Sequence, residues 1–295
     1  MLTINVNKIS TGELHQYLLG CVAPRPIAFA STVDKDGNPN IAPYSFFNVF
    51  SSNPPTLIFS SNRKVSDNTT KATLHNIEAT GEVVINVVSH NIVQQMAVAS
   101  IAFPEGVSEF EKSGLTPIPS DLVKPFRIKE SPAHLECKVR KIISLGDKGG
   151  AGNLIICEVI RMHIDKNVLD DDGKINPHKI DLVGRMGRAF YTRASGDSIM
   201  KIYQPVGEIT IGYDGLPNHI KNSHVLSGNN IGQLAGMKNL PTKEEVLAIK
   251  NDEKVQRVLD TENIPENLHQ YAKAVLDKDD DWELAAKLLL LEKLI

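Results

Sequence analysis

A chain of 295 residues, 41% hydrophobic and 23% charged, has an ordinary globular composition and length for more than one core. Its net charge of −3 argues against a nucleic-acid surface, which calls for a basic field, and no apolar run is long enough to span a bilayer. Cys21, Cys137 and Cys157 form neither a disulfide framework nor a zinc spacing, and Met1 to Ser10 does not read as a leader, so a cytoplasmic protein without a membrane partner is expected.

Ser10 to Leu19 reads as a short helix with Glu13 placed to complete a cap. Pro24-Arg25-Pro26 ends it, and Ile27 to Val33 reads as a strand of small and β-branched residues. Asp36-Gly37 is a hairpin turn, after which Asn40 to Phe50 returns as one aromatic strand. Asn53-Pro54-Pro55 bends the chain into a short strand, Thr56 to Ser60. A polar stretch leads to a helix over Lys71 to Ala79, ended by Gly81, and Glu82 to Val88 is strongly β-branched. Asn91 to Ser100 repeats apolar residues at helical spacing, with Met96 as core filling. Phe103 to Arg127 is a long Pro- and Gly-rich loop with one helical turn near Glu109, of the kind that covers something. His134 to Ile143 alternates cleanly, Gly146 to Gly152 is a hairpin tip, and Leu154 to Ile164 pairs back. Many short strands with few helices point to an antiparallel sheet closed into a barrel, ending near residue 200. Residues 201–295 change character. Gly207 to Gly236 reads as loop, with Gly228-Asn229-Asn230 a turn. Beyond Pro241 the pattern is helical, with capping boxes at Thr242/Glu245 and Asp280/Glu283 and Pro265 in a first turn. Leucines on several sides of the last helix call for a partner surface, the barrel or a second subunit.

Two stretches carry candidate chemistry. In Ala42 to Asn48, Pro43 suits a strand edge, and Phe46 and Phe47 point to opposite sides of an extended backbone between Ser45 and Asn48. Main-chain N–H groups between such rings suit the rim of a planar heteroaromatic; a half-buried strand leaving a bend explains the same residues. Ser60, Ser61, Arg63 and Lys64, with Lys71 and Thr73 opening the next helix, combine hydroxyls, cations and a helix N-terminus as a phosphate monoester requires. A solvated polar loop is the alternative. Arg25, held between prolines, reads equally as an anion clamp or a surface residue. The glycine loop has no Lys-Ser or Lys-Thr after it and so is not a P-loop. The histidines show no metal spacing, and no nucleophile elbow is present.

In their order these segments resemble the flavin reductase-like, FMN-binding split-barrel family. The matching residues are Pro24 to Ala28 with Ser31-Thr32, Ala42 to Asn48, Pro54-Pro55 with Ile58 to Ser60, Arg63, Lys71 to Thr73 with Asn76-Ile77, and Val84 to Val87. Phe103-Pro104, Glu109-Phe110, Gly114 to Thr116, Glu136-Cys137, Asp172-Gly173 and Arg185 continue the match. The resemblance covers the first two thirds of the chain and implies a six-stranded split barrel over residues 1–200, a mainly helical extension over 201–295, and a homodimer with FMN at the subunit interface. It further implies that Ser45, Phe46, Phe47 and Asn48 line the isoalloxazine, that Ser60, Ser61, Arg63, Lys71 and Thr73 hold the phosphate, and that Ser100 and Phe103 close the pocket. The activity implied is flavin reduction by NADH or NADPH, with hydride passing through flavin N5 to a small-molecule acceptor. The alternatives are an FMN enzyme with its own small substrate and a non-catalytic flavin- or haem-binding module. Ala72 stands where the family usually has Asp, which removes an acid from beside the basic residues.

Overall fold

The computed structural model describes every residue from Met1 to Ile295 except Glu105 and Tyr203. The chain divides into two compact units, Met1–Met200 and Lys201–Ile295.

The first unit opens with α1 (Thr11–Cys21), where the Ser10 hydroxyl accepts the Glu13 N–H and the Glu13 carboxylate accepts the Ser10 N–H. There follow β1 (Ala28–Val33), β2 (Pro39–Tyr44), β3 (Phe47–Ser52), β4 (Pro55–Ser60), α2 (Ala72–Thr80), β5 (Glu82–Val87), α3 (Val93–Val98) and α4 (Glu109–Ser113). Then come β6 (Pro117–Ile118), β7 (Arg127–Ile128), the long hairpin β8 (Ala133–Ser144) and β9 (Asn153–Ile164), α5 (Pro177–Ile180), β10 (Val183–Arg185) and β11 (Tyr191–Arg193). Seven strands form one antiparallel sheet in the order β2-β1-β5-β8-β9-β4-β3.

That order requires closure. The edge strands β2 and β3 are joined by Ser45 and Phe46 alone. A flat seven-stranded sheet is about 29 Å across, whereas three Cα steps reach at most about 11 Å. The sheet therefore curls until its edges meet. Asn40 to Phe50 is accordingly two strands rather than the single strand expected, and the count is seven where the resemblance implied six. Tyr44 still pairs with Ala28, whereas the Phe46 carbonyl already accepts the Ser60 N–H, so pairing changes partner within two residues. Pro43 lies on the edge strand, where its missing donor is harmless.

Inside the curl lie Ala28, Ala30, Leu57, Phe59, Val83, Ile85, Cys137, Ile155 and Cys157. The opposite face carries a second core, in which Phe29, Ile41 and Ile128 meet Met96 and Phe110 from α3 and α4. Beside it the outward-pointing polar residues of β5 and β8 grip the strap that runs through β6 and β7. Glu136 accepts the N–H groups of Asp121 (2.8 Å) and Leu122 (2.7 Å), Glu82 that of Lys124 (2.7 Å), and Asn86 that of Ile128 (2.9 Å).

The second unit contains α6 (Gly212–Gly215), α7 (Asn218–Lys221), α8 (Gly228–Ala235), α9 (Lys243–Ala248), α10 (Glu253–Leu259), α11 (Ile264–Lys278) and α12 (Trp282–Leu291). Two expectations are corrected here. Gly228-Asn229-Asn230 is the first turn of α8, because Ser227 and Asn230 form a capping box. Asp281 rather than Asp280 caps α12, accepting the Leu284 N–H at 2.9 Å. The leucines of α12 are buried within this unit's own core, against Leu234, Val246, Leu268 and Leu276. Among the described residues no helix is long and apolar enough to cross a membrane.

Candidate functional site

The two candidate stretches meet in the barrel wall. Ser60 donates its N–H to Phe46, Phe47 pairs with Phe59, and the chain runs straight on from Ser60 to the basic segment. Ser45 receives the Arg25 Nε at 3.4 Å. Phe46 is exposed and meets His15 of α1 edge-on at 6.1 Å, while Phe47 packs on the barrel core. Asn48 is exposed, its side-chain oxygen accepting the Val49 N–H at 2.8 Å.

Arg63 donates through one terminal nitrogen to the Asn68 carbonyl (3.0 Å), but its buried Nε has no partner; the buried Ser61 hydroxyl has none either. Ser60 spends its hydroxyl proton on Asn62 (2.7 Å). Lys71 stands at the N-cap of α2, a helix without a side-chain cap, and its ammonium lies 5.2 Å from the centroid of the Tyr44 ring. Burial, and then the nearby Lys64 charge, hold Lys71 below the usual lysine range, while Glu109 opposes both. Thr73 donates to Asn40 Oδ1 at 2.9 Å, and Asn40 also takes the Thr32 hydroxyl at 3.3 Å. That network seats the N-terminus of α2 on the β1–β2 hairpin. Unpartnered buried donors, two cations and an uncapped helix start thus gather in one place. Each buried donor left without an acceptor costs on the order of 1–3 kcal/mol, so the arrangement fits an anion.

The other residues fall elsewhere. Arg25 is buried and tied to main-chain carbonyls, those of Leu19 (2.7 Å), Val22 and Met186 (2.8 Å), which makes it a clasp. Ser100 is exposed and bonds the Ala97 carbonyl, and Phe103 lies under the Lys112 ammonium of α4 at 5.9 Å. Only the first part of the Phe103–Arg127 loop reaches the site, through α4 beside β2; the rest is the strap. Asp121, Glu136 and His163 bring possible metal-ligand atoms within 4.8 Å of one another. Glu136 already serves two strap N–H groups and His163 (2.6 Å), and Asp121 pairs with Arg161 (2.8 Å), so these groups act as strap fastenings. A cavity of about 270 Å³ lined by His90, Val93, Tyr191 and Arg193 shares none of the candidate residues.

Three features of the site do not follow from the sequence: the seat of Lys71 over the Tyr44 ring, the Asn40 bonds to Thr32 and Thr73, and the docking of the glycine loop. The glycine loop, expected as a free hairpin tip, is hydrogen-bonded to the basic segment: Arg63 N–H to the Ala151 carbonyl (2.9 Å) and Gly150 N–H to the Arg63 carbonyl (3.0 Å). Its glycine spacing was the available signal, since a Cβ at Gly149 would lie 2.9 Å from the Lys64 carbonyl.

Residues 19–179 match the model of the flavin reductase like domain, and the chain belongs to that family. An uncharacterized protein of Aquifex aeolicus is 41% identical over 198 residues, covering 67% of this chain and 98% of its own. The structure of nitrilotriacetate monooxygenase component B from Bacillus cereus is similar with TM-score 0.63 and 30% identity, over 69% of this chain and 98% of that one. Pseudomonas fluorescens 2-nitrobenzoate 2-nitroreductase is similar with TM-score 0.63 and 25% identity, over 72% and 100%. The family and these neighbours make the first unit a flavin reductase-like fold among flavin-dependent oxidoreductases.

Proposed function

We propose that this chain is an FMN-dependent flavin reductase, reduced by NADH or NADPH and passing electrons to a small-molecule acceptor. The observation that carries the reading is the cluster of unpartnered Ser61 and Arg63 donors beside Lys71 and the open start of α2, within a chain of this family. Bound flavin supplies the hydride and electron chemistry; the protein supplies grip, orientation and a field. Arg63, Lys71, Ser61 and the first N–H groups of α2 hold the phosphate, with Thr73 and Ser60 setting their backbone. The main chain from Ser45 to Asn48 lines the ring. Arg25 fastens Ser45 from behind, so the rim is rigid before the ligand arrives. Val49 and Phe50, 62% and 63% exposed on edge strand β3, offer an apolar surface that a second copy covers, closing the ring side to water in a homodimer. Three free cysteines, two of them buried in the barrel, suit the reducing cytoplasm.

An absorption spectrum of the protein as isolated, then with FMN and finally with NADPH or NADH under anaerobic conditions, tests this. A flavin spectrum bleached by the nicotinamide is expected. A protein that stays colourless with added FMN removes the reading. Bleaching by dithionite alone favours an enzyme with its own small substrate, a reading supported by the similarity to the nitroreductase, or a carrier. Arg63→Ala is expected to weaken FMN binding roughly tenfold or more with little change in melting temperature, since it removes a charge-assisted contact on a loop.

A further inference from the structure

We infer that α1 is the cover of the flavin site and that His15 is the positioning residue through which it holds the ring end. The inference deepens the flavin reading and rests on it. Thr11 and His15 precede residue 19, where the match to the family model begins. Thr11, His15 and Leu19 stand four positions apart and so form one stripe along the helix. Each part of that stripe meets a different part of the site. A Cβ at Gly150 would stand 2.8 Å from the Thr11 methyl, so the helix starts against the glycine loop that is bonded to Arg63. One turn on, the His15 ring meets Phe46 edge-on at 6.1 Å, its one ring or hydrogen-bonded contact among the described residues. After a further turn the Leu19 carbonyl accepts from Arg25, whose Nε reaches Ser45. α1 thus runs about 15 Å from the phosphate end of the site to its rim. A Cβ at Gly12, off the stripe, meets nothing within 4 Å.

The helix is held there lightly. None of its 11 residues is buried, and a helix of that length is marginal on its own. The Ser10–Glu13 box secures the first turn, and Arg25 holds the carbonyls of Leu19 and Val22. The C-terminal end is therefore anchored, while the rest lies on side-chain contacts alone, and a helix fastened in this way opens at low cost. Phe46, in the stretch that lines the ring, is itself exposed, so its side chain is free to change rotamer unless something pins it. The edge-on imidazole of His15 pins it. Bound flavin supplies apolar surface to a helix that buries none of its own, so ligand and closed helix stabilise each other.

Hydrogen exchange of the flavin-free protein with and without FMN, and the rate of FMN dissociation read by flavin fluorescence, test this. The amides from Leu14 to Val22 are expected to exchange at least about tenfold more slowly once FMN is bound. His15→Ala is expected to raise the dissociation rate several-fold for FMN and for riboflavin alike, since it acts at the ring end, with an unchanged melting temperature of the flavin-free protein. His15→Phe keeps a ring against Phe46 and is expected to restore the slow rate. Equal exchange of α1 with and without FMN overturns the cover. Protection that rises with protein concentration and not with FMN assigns the helix to a contact between copies and overturns it too. An unchanged dissociation rate in His15→Ala overturns the role of His15. In each of these cases the unmodified protein still retains FMN and the flavin reading stands, whereas a protein that takes up no FMN removes both.

Discussion

Arg25 and Arg63 look alike in sequence, each a basic residue beside a turn, and the structure separates them by what they touch. Arg25 directs its guanidinium to three main-chain carbonyls and Ser45, which fixes the exit of α1; Arg63 keeps a buried Nε unspent. His134 shows the same dependence on partners. Its Nε2 meets the Ile128 carbonyl at 2.8 Å, Nδ1 is buried without a partner, and burial followed by the Arg127 charge lowers its pKa from 6.5 to about 4. Glu136, which accepts the strap N–H groups, is held below the usual carboxylate range despite burial. The native state therefore binds fewer protons than the unfolded chain at both groups. Stability is full at neutral pH, falls between about pH 6.5 and 4 through His134, and falls further below 4.5 through Glu136. Urea midpoints at pH 7, 5.5 and 4.5 are expected to decline in that order, and His134→Asn to flatten the upper part of the decline. An unchanged slope in that variant would place the titration elsewhere.

The β8–β9 hairpin shows what an isolated element leaves open. Its first strand follows from clean alternation, whereas the docking of its tip depends on the basic segment lying alongside. Gly152 is where the approach is closest: a Cβ there would stand 2.6 Å from Ser60 Oγ, which holds Asn62. Gly152→Ala is expected to cost about 1–3 kcal/mol and to weaken FMN binding by shifting Ser60 and Ser61 together. Gly12→Ala in α1, where a Cβ meets nothing within 4 Å, is the control and is expected to leave binding unchanged and the helix no weaker. Calorimetric melting and fluorescence titration of the two variants read both effects. The corrected caps at α8 and α12 teach a related lesson, since Ser227 and Asp281 compete locally with equally plausible neighbours.

At the scale of the whole sheet, Val49 and Phe50 of β3 are left exposed. Phe50→Glu is expected to break the proposed homodimer in sedimentation velocity and to weaken flavin binding, and a wild type already monomeric at micromolar concentration would rule out that surface as an interface. The first helix, most strands of the sheet, the Thr242 cap and the Gly81 stop were legible in the chain, because each depends on side chains a few positions apart, whereas α6, α7 and α8 fold from a stretch that reads as loop. The pairing of Arg25 with Met186 across 161 positions and the Asn153–Ser61 bond across 92 were not legible. Those features are set when distant segments are packed together and buried, and a polar atom's cost or use is defined only by the neighbours that packing brings or withholds.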